Sequence, residues 1–163
     1  MITWLFNFLH RTIASKRESD FVVGGKSVPR PYLNRWYVIP RNRLFNIYLH
    51  QFLRSDDDRA LHDHPWFNLS ILLQGQYVEW SIAKGGTHHK KLRKAGGIKF
   101  RTPWNAHRLE LVDEQPCWSL FMTGPTMRTW GFHCKLGWRP WQEFVSADGH
   151  KANDIGAGCQ GLE

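Results

Sequence analysis

The stretch ALHDHPW, residues 60–66, places His62 and His64 two positions apart. Side chains alternate between the two faces of an extended strand, so these two imidazoles point to the same side. A third histidine, His107, follows in PWNAH, residues 103–107. If a neighbouring strand carries it beside the pair, the three rings complete a facial triad around one divalent metal ion. Such a triad leaves coordination positions for water or substrate.

The size and composition of the chain indicate one domain with a hydrophobic core. It has 163 residues, 42 % hydrophobic and 14 % aromatic, and its nine tryptophans suit a barrel interior or a ligand pocket. The net charge of +8 raises three alternatives: an anionic substrate, a nucleic acid or an acidic partner. Outside KKLRK, residues 90–94, the basic residues are dispersed. This argues against nucleic acid and favours a solvated strand face for that run.

The cysteines and the N-terminal segment bear on location. Cys117, Cys134 and Cys159 are odd in number and lack CxxC spacing. This argues against a disulfide scaffold and a structural zinc knuckle, and predicts a reducing compartment. The apolar segment 1–9 lacks a basic leader and a small-residue cleavage site, and it is too short to span a bilayer. We therefore expect a cytoplasmic protein with no membrane association.

Turn signals divide the chain into three parts. Residues 1–31 predict a helical arm, with a helix over 2–14 and an irregular connector over 15–31. Residues 32–146 alternate short apolar runs with turn residues, which is typical of an antiparallel sandwich or barrel. Residues 147–163 are polar and glycine-rich and predict a flexible tail. The expected strands are 36–39, 44–53, 68–73, 76–82, 88–94, 98–100, 107–112, 118–123 and 129–134.

The sequence around the histidine pair resembles the first motif of the cupin superfamily. That motif runs His-x-His, three or four residues, Glu, six residues, Gly. Here His62 and His64 are followed at these spacings by Asn68 and Gly75. Asparagine therefore stands where the family has an acidic metal ligand. The glycine that precedes the family's first histidine by six positions is Asp56 here.

A later stretch resembles the second cupin motif, Gly-x(5)-Pro-x-Gly-x(2)-His-x(3)-Asn. Gly97 and Pro103 match its first half. Asn105 replaces the second glycine, and the histidine arrives one residue early, at His107. Leu111 stands where the motif ends in asparagine. The match to this motif is therefore partial.

The resemblance implies an all-β fold, the cupin double-stranded β-helix or jelly-roll barrel, with a short N-terminal helical arm. It extends over most of residues 32–145 and is to small bacterial and phage-borne cupins, which are often homodimers. It also implies one divalent metal ion held by His62, His64 and His107. Iron is expected for a catalytic site, with nickel, zinc or manganese as alternatives. Cupins include dioxygenases, isomerases, epimerases, lyases and pure binding proteins, so the fold does not fix the reaction.

Asn68 changes the expected chemistry of the site. Its amide oxygen is neutral and a weak metal ligand, whereas glutamate would add a negative charge. Either water completes a three-histidine shell, or Asn68 only hydrogen-bonds to such a water. Because three neutral ligands leave the charge of the ion uncompensated, the site favours an anionic or chelating small molecule.

Further residues are candidates for the surroundings of the metal. Asp63 should face away from it and orient the ligands or stabilise the fold. His50 shares a strand face with Tyr48 and either reaches the pocket or is a buried, hydrogen-bonded histidine. Glu79 is a candidate acid or base, with an exposed partner for a lysine as the alternative. His133 is a candidate wall residue.

Arg59, together with Arg54, flanks the acidic turn DDD, residues 56–58. Either arginine would suit a carboxylate or phosphate clamp, and each would equally suit an ion pair with that turn.

Four functions follow from these patterns. The first is a metal-dependent enzyme, such as an iron dioxygenase acting on a small polar or anionic molecule. The second is a non-catalytic protein that binds a metal or a small ligand. The third is a metal-independent sugar isomerase or epimerase with histidine as the base. The fourth is an interaction protein that uses the basic face and the arm.

Overall fold

The computed structural model describes residues 1–23, 31–56, 60–82, 88–145 and 158–161. An α-helix, α1 (Ile2–Leu9), continues as one π-helical turn, His10–Ala14. A short helix, α2 (Trp141–Phe144), follows the last strand. The strands are β1 (Phe21–Val23), β2 (Leu33–Tyr37), β3 (Asn46–Phe52), β4 (Leu61–His62), β5 (Asn68–Gln74), β6 (Gln76–Ile82), β7 (His88–Lys94), β8 (Ile98–Arg101), β9 (His107–Leu111), β10 (Cys117–Thr123), β11 (Gly131–Cys134) and β12 (Gly137–Pro140).

These strands form two six-stranded antiparallel sheets. The first has the order β1-β2-β3-β10-β5-β8, and the second has the order β12-β11-β4-β9-β6-β7. Consecutive strands often belong to different sheets, as in a jelly roll, so the inner faces of both sheets enclose one interior. The all-β jelly-roll architecture that the motifs implied is confirmed.

The chain crosses from the first sheet to the second at Gly75. Its φ is +82°, and a Cβ built there would lie 2.8 Å from the Cβ of Cys117. Both the backbone conformation and the close approach therefore require glycine at this motif position. Beside this corner lies a core cluster that includes Leu72, Tyr77 and Leu111.

The arm covers the outer face of the first sheet. Leu9 of α1 packs with Trp36, Leu49 and Trp118 in a second apolar cluster. Leu49 precedes His50, which faces the interior, so this cluster lies on the opposite side of the sheet. Apolar residues at helical spacing in α1 thus bury one face of the arm against the barrel.

Three short strands depart from the sequence predictions. β1 lies inside the segment that we expected to be an irregular connector, and β4 and β12 were not expected. Strands of two to four residues contain too few positions for an alternating pattern to be recognised. The other nine strands lie where the turn signals placed them, with ends displaced by a few residues.

The cysteines, which argued against a disulfide scaffold, nevertheless include one bonded pair. Cys134 at the end of β11 is bonded to Cys159. Arg139 reinforces this attachment, because its guanidinium donates to the carbonyl oxygens of Gly158 at 2.7 Å and Gln160 at 2.6 Å. The pairing removes the basis on which a reducing compartment was predicted. Among the described residues, no helix has both the length and the apolar character needed to cross a membrane.

Candidate metal centre

The three expected ligands come together in the second sheet. His62 ends β4, and its backbone pairs with His107 at the start of β9. His64 follows two residues later. The ring centroids of the three imidazoles lie between 4.8 and 5.2 Å apart. One nitrogen from each ring lies within 4.8 Å of one nitrogen of the others, so the rings face a common centre.

The imidazole nitrogens fit a divalent ion. His64 Nε2 and His107 Nε2 are 3.0 Å apart. Two nitrogens that bind one ion at about 2.1 Å and at right angles are themselves about 3.0 Å apart. Burial is the main cause that lowers the pKa of both His64 and His107 well below the usual value. Both rings are therefore neutral near pH 7, and a neutral imidazole offers the lone pair that a metal needs.

Two carboxylates lie beside the far nitrogens of the ligands. His107 Nδ1 is 3.6 Å from Glu79 Oε1, and His62 Nδ1 is 3.9 Å from Asp56 Oδ2. Each carboxylate attracts an N–H at Nδ1 and leaves Nε2 of that ring as the lone-pair nitrogen. Asp56 is itself held in place, because it accepts the backbone N–H of Leu109 at 2.6 Å.

Glu79 is buried, so the alternative of an exposed lysine partner is wrong. Arg101 donates to Glu79 Oε1 through Nη2 and, at 3.1 Å, through Nε. Arg93 Nε donates to Oε2 at 2.8 Å. Burial alone would raise the pKa of Glu79, but the contact with His107 and the charge of Arg101 outweigh it and hold the pKa far below its usual value. Glu79 is thus ionised near neutral pH beside the histidine site.

Asp63 faces away from the imidazoles, as alternation along the strand predicts. Its carboxylate is 1 % exposed and accepts four hydrogen bonds. The donors are Arg128 Nη1 at 2.9 Å, the backbone N–H of Gly131 at 2.9 Å, His133 Nε2 at 3.0 Å and Trp138 Nε1 at 2.9 Å. His133 therefore contacts Asp63 and is not among the residues that line the cavity.

The remaining candidates take different places. Asn68 is buried in β5, where Thr123 of β10 and Arg101 of β8 are its register partners on the two neighbouring strands. Its amide nitrogen and oxygen have no hydrogen-bond partner within the described part of the chain. His50 lines the interior, while Tyr48 stacks against it with ring centroids 5.8 Å apart. Arg59 lies outside the described residues.

A cavity of about 460 Å³ opens beside the three histidines. Its volume lies within the range of small-molecule sites, and its walls are mainly aromatic and aliphatic. Two arginines that the sequence did not single out, Arg35 and Arg101, reach it. Its lining is Phe21, Val23, Tyr32, Leu33, Arg35, His50, Phe52, His62, His64, Pro65, Trp66, Ser70, Tyr77, Arg101, His107, Leu109, Phe121, Trp130, Trp141 and Val145.

Comparison with known proteins adds evidence on the fold. No protein-family model matches the chain, and no curated protein sequence does. Solved structures do match it. Oxalate decarboxylase from Bacillus subtilis, a protein with Mn(II) centres, has a TM-score of 0.50 at 14 % identity, over 71 % of this chain and 30 % of that one. The DMSP lyase DddQ from Ruegeria pomeroyi DSS-3 has a TM-score of 0.50 at 15 % identity, over 71 % and 59 %.

These similarities bear on the fold alone. At identities of 14 and 15 % they show that the chain has the double-stranded β-helix fold of cupins. The chain spans less than two thirds of either matched protein, about 30 % of the first and 59 % of the second. Within this fold, the chain brings three histidines together in a position suited to hold a metal ion.

Proposed function

We propose that the protein is a metal-dependent cupin enzyme in which His62, His64 and His107 hold one divalent ion. The observation that carries this proposal is the 3.0 Å approach of two neutral imidazole nitrogens, with the third ring beside them. Two neutral nitrogens at this distance share a single proton or bind a common cation. Because His62 and His64 line the same cavity, a substrate would meet the ion directly.

The residues of the chain prepare this site. When bound, the ion polarises and orients a substrate atom through coordination positions that the histidines leave open. Glu79 Oε1 lies 3.6 Å from His107 Nδ1, and its negative charge favours the N–H at that nitrogen, which leaves Nε2 as the ligand atom. Trp66, Phe121 and Trp130 line the cavity, and such apolar walls exclude bulk water from the reacting groups.

The ligand set supports an iron dioxygenase-like reaction on a small polar or anionic molecule. The described histidine site has no carboxylate ligand, so a bound ion keeps its full positive charge and attracts an anionic substrate. Nickel, zinc or manganese would also accept three imidazoles. A homodimer and a cytoplasmic location stay predictions, and the location no longer has the support of unpaired cysteines.

Metal analysis of protein purified without added metal tests the ligands. We expect about one ion per chain by plasma mass spectrometry, and a loss of more than tenfold in His62→Ala, His64→Ala and His107→Ala. His89→Ala is the matched control, because His89 is exposed on β7. Circular dichroism would establish that each variant folds. Stoichiometric metal in folded His107→Ala protein would contradict the proposal.

The identity of the metal then separates the candidate functions. Iron together with oxygen uptake in the presence of substrate supports the dioxygenase-like enzyme. Tightly bound nickel or zinc without turnover supports a binding protein. Protein that folds and binds its ligand with no metal supports the metal-independent isomerase or epimerase.

A further inference from the structure

We propose that Arg35, positioned by His50, is a carboxylate-binding subsite, and that the substrate is a small carboxylate with an apolar body. The inference deepens the proposed function and depends on it only for the statement that the bound molecule is a substrate. Leu33 and Arg35 of β2 both line the cavity, whereas Asn34 between them does not. Alternation along the strand therefore directs the Arg35 side chain inward, into the cavity that the histidines share.

The charge of Arg35 has no carboxylate partner among the described residues. The ion pairs described for Arg17, Arg93, Arg101 and Arg128 do not include Arg35. The hydrogen bond described for Arg35 runs from its Nε to His50 Nε2, at 2.9 Å. A guanidinium has five N–H donors, so most of its donors stay available to a ligand. Arg101 differs, because it donates to the carboxylate of Glu79.

Aromatic rings hold the guanidinium in place. Its carbon lies 4.9 Å from the ring centroid of Tyr48 and 5.8 Å from that of Phe21. His50, which accepts from Arg35, is stacked between Tyr48 and Phe121 with ring centroids 5.8 and 5.1 Å away. A guanidinium fixed before binding loses little side-chain entropy when a ligand arrives.

A monoanion matches this subsite better than a dianion. One guanidinium offers one positive charge and a planar pair of donors, which is the geometry of a carboxylate. The surroundings are apolar, with Leu33, Phe52 and Trp141 among the lining residues. An apolar body attached to the carboxylate would bury its surface against these walls. The single charge of the Arg35 guanidinium balances that of a carboxylate, but only one of the two charges of a phosphate dianion.

Isothermal titration calorimetry with phenylacetate, phenylacetamide and phenylphosphonate tests the subsite. We expect phenylacetate to bind at least tenfold more tightly than the neutral amide and the phosphonate. Arg35→Gln should weaken phenylacetate binding about 10- to 100-fold, because a charge-assisted hydrogen bond is lost. Arg35→Lys keeps the charge but loses the planar pair, so we expect a smaller loss.

Arg41→Gln is the matched control. Arg41 is exposed, does not line the cavity, and is close enough to Arg35 for its charge to affect that guanidinium. It should change phenylacetate binding by less than about twofold. The inference would be overturned if wild type and Arg35→Gln bound phenylacetate equally, or if wild type did not bind phenylacetate at all. It would also be overturned if wild type bound phenylacetamide as tightly as phenylacetate, or phenylphosphonate more tightly. The comparison of the three ligands on wild-type protein holds even if Arg35→Gln does not fold.

Metal content, measured on the same samples, keeps the two proposals separate. Arg35→Gln should retain the metal of the wild type, since Arg35 is not a ligand. If wild-type protein holds no metal but binds phenylacetate through Arg35, the metal proposal fails and the subsite stands. If metal is present and Arg35→Gln has no effect, the subsite fails and the metal site stands.

Discussion

Two buried carboxylates flank the histidine site, and they act on it differently. Asp63 lies between His62 and His64 in the chain and accepts hydrogen bonds from four donors, one of them the backbone N–H of Gly131. Glu79 comes from a neighbouring strand and contacts the His107 ring directly. Asp63 therefore fixes the backbone that carries two of the proposed ligands, whereas Glu79, at 3.6 Å from Nδ1 of the third, favours the N–H at that nitrogen.

The two carboxylates therefore support the placement of the backbone and the chemistry of the histidines separately. Replacing Asp63 should mainly lower the stability of the fold, and replacing Glu79 should lower both stability and metal affinity.

The largest effect is expected for Glu79→Ala. It leaves Arg101, which is 2 % exposed, without an acceptor for its charge. Breaking such a buried pair costs about 3–5 kcal/mol in the free energy of unfolding, measured by urea denaturation. Glu143→Ala, at an exposed position, should stay within about 0.5 kcal/mol.

A double variant sharpens this result. Glu79→Ala with Arg101→Met should recover part of the lost stability, because the unpaired buried charge is gone. Purely additive effects would show that the pair is not coupled.

The second largest effect on stability is expected for Asp63→Asn. An amide nitrogen presents donors to the N–H groups of Arg128 and Trp138, so we expect a loss of about 2–3 kcal/mol in the free energy of unfolding. Metal affinity, measured by competition with a chelator, should change by less than about threefold. Glu79→Gln should weaken it about 10- to 100-fold. Equal losses of metal affinity in both variants would contradict the different roles of Asp63 and Glu79.

The pH dependence of stability should separate imidazoles from carboxylates. Burial lowers the pKa of His50, His64 and His107, so below about pH 6.5 the unfolded chain binds protons that the folded chain does not. Metal-free protein should therefore lose up to about 1.4 kcal/mol per pH unit for each histidine as the pH falls. In His50→Gln, the slope of the free energy of unfolding against pH should decrease by the contribution of one histidine. An unchanged slope would show that His50 titrates normally.

Asp63 and Glu79 act in a lower pH window. Because their folded-state pKa is lowered, their stabilisation is present above about pH 4 and is lost as the pH falls below it. Urea denaturation between pH 8 and pH 3 measures the free energy of unfolding across both pH ranges.

The smallest effect is expected for Asn68→Leu. A buried amide without partners costs about 1–3 kcal/mol, so leucine, which has the same branched shape, should leave stability unchanged or raise it by about 1 kcal/mol. Asn105→Leu is the control: its Oδ1 accepts the backbone N–H of Thr102 at 2.7 Å, and losing this bond should cost about 1 kcal/mol. Clear destabilisation by Asn68→Leu would show that the amide is hydrogen-bonded in solution.

The sequence predicted the parts of the site that depend on local alternation. It placed His62 and His64 on one face and Asp63 on the other, because all three belong to one extended segment. Glu79 was left between an acid or base in the site and an exposed partner for a lysine, since alternation in β6 does not show which face is inward. Its burial depends on Arg101, a residue from the other sheet.

The sequence could not predict which residues are brought to the site by the order of the strands in the two sheets. Arg35 lies on β2, whose expected range began one residue later, at 36, so its inward direction had no local signal. Arg128 and Trp138 meet Asp63 only because β11 lies beside β4 in the second sheet. Cys134 and Cys159 are likewise brought together by the fold, across 25 residues of sequence.

The shortest strand of the second sheet has an unusual place. β4 has two residues, yet it lies between β9 and β11, and the backbone N–H of Asp63 donates to Gly131 O at 3.0 Å. Short strands at sheet edges open easily, but this one is enclosed on both sides. In deuterium-exchange mass spectrometry, the Asp63 amide should therefore exchange as slowly as those of β3 and β10, so that the ligand-bearing loop opens only when the whole domain unfolds.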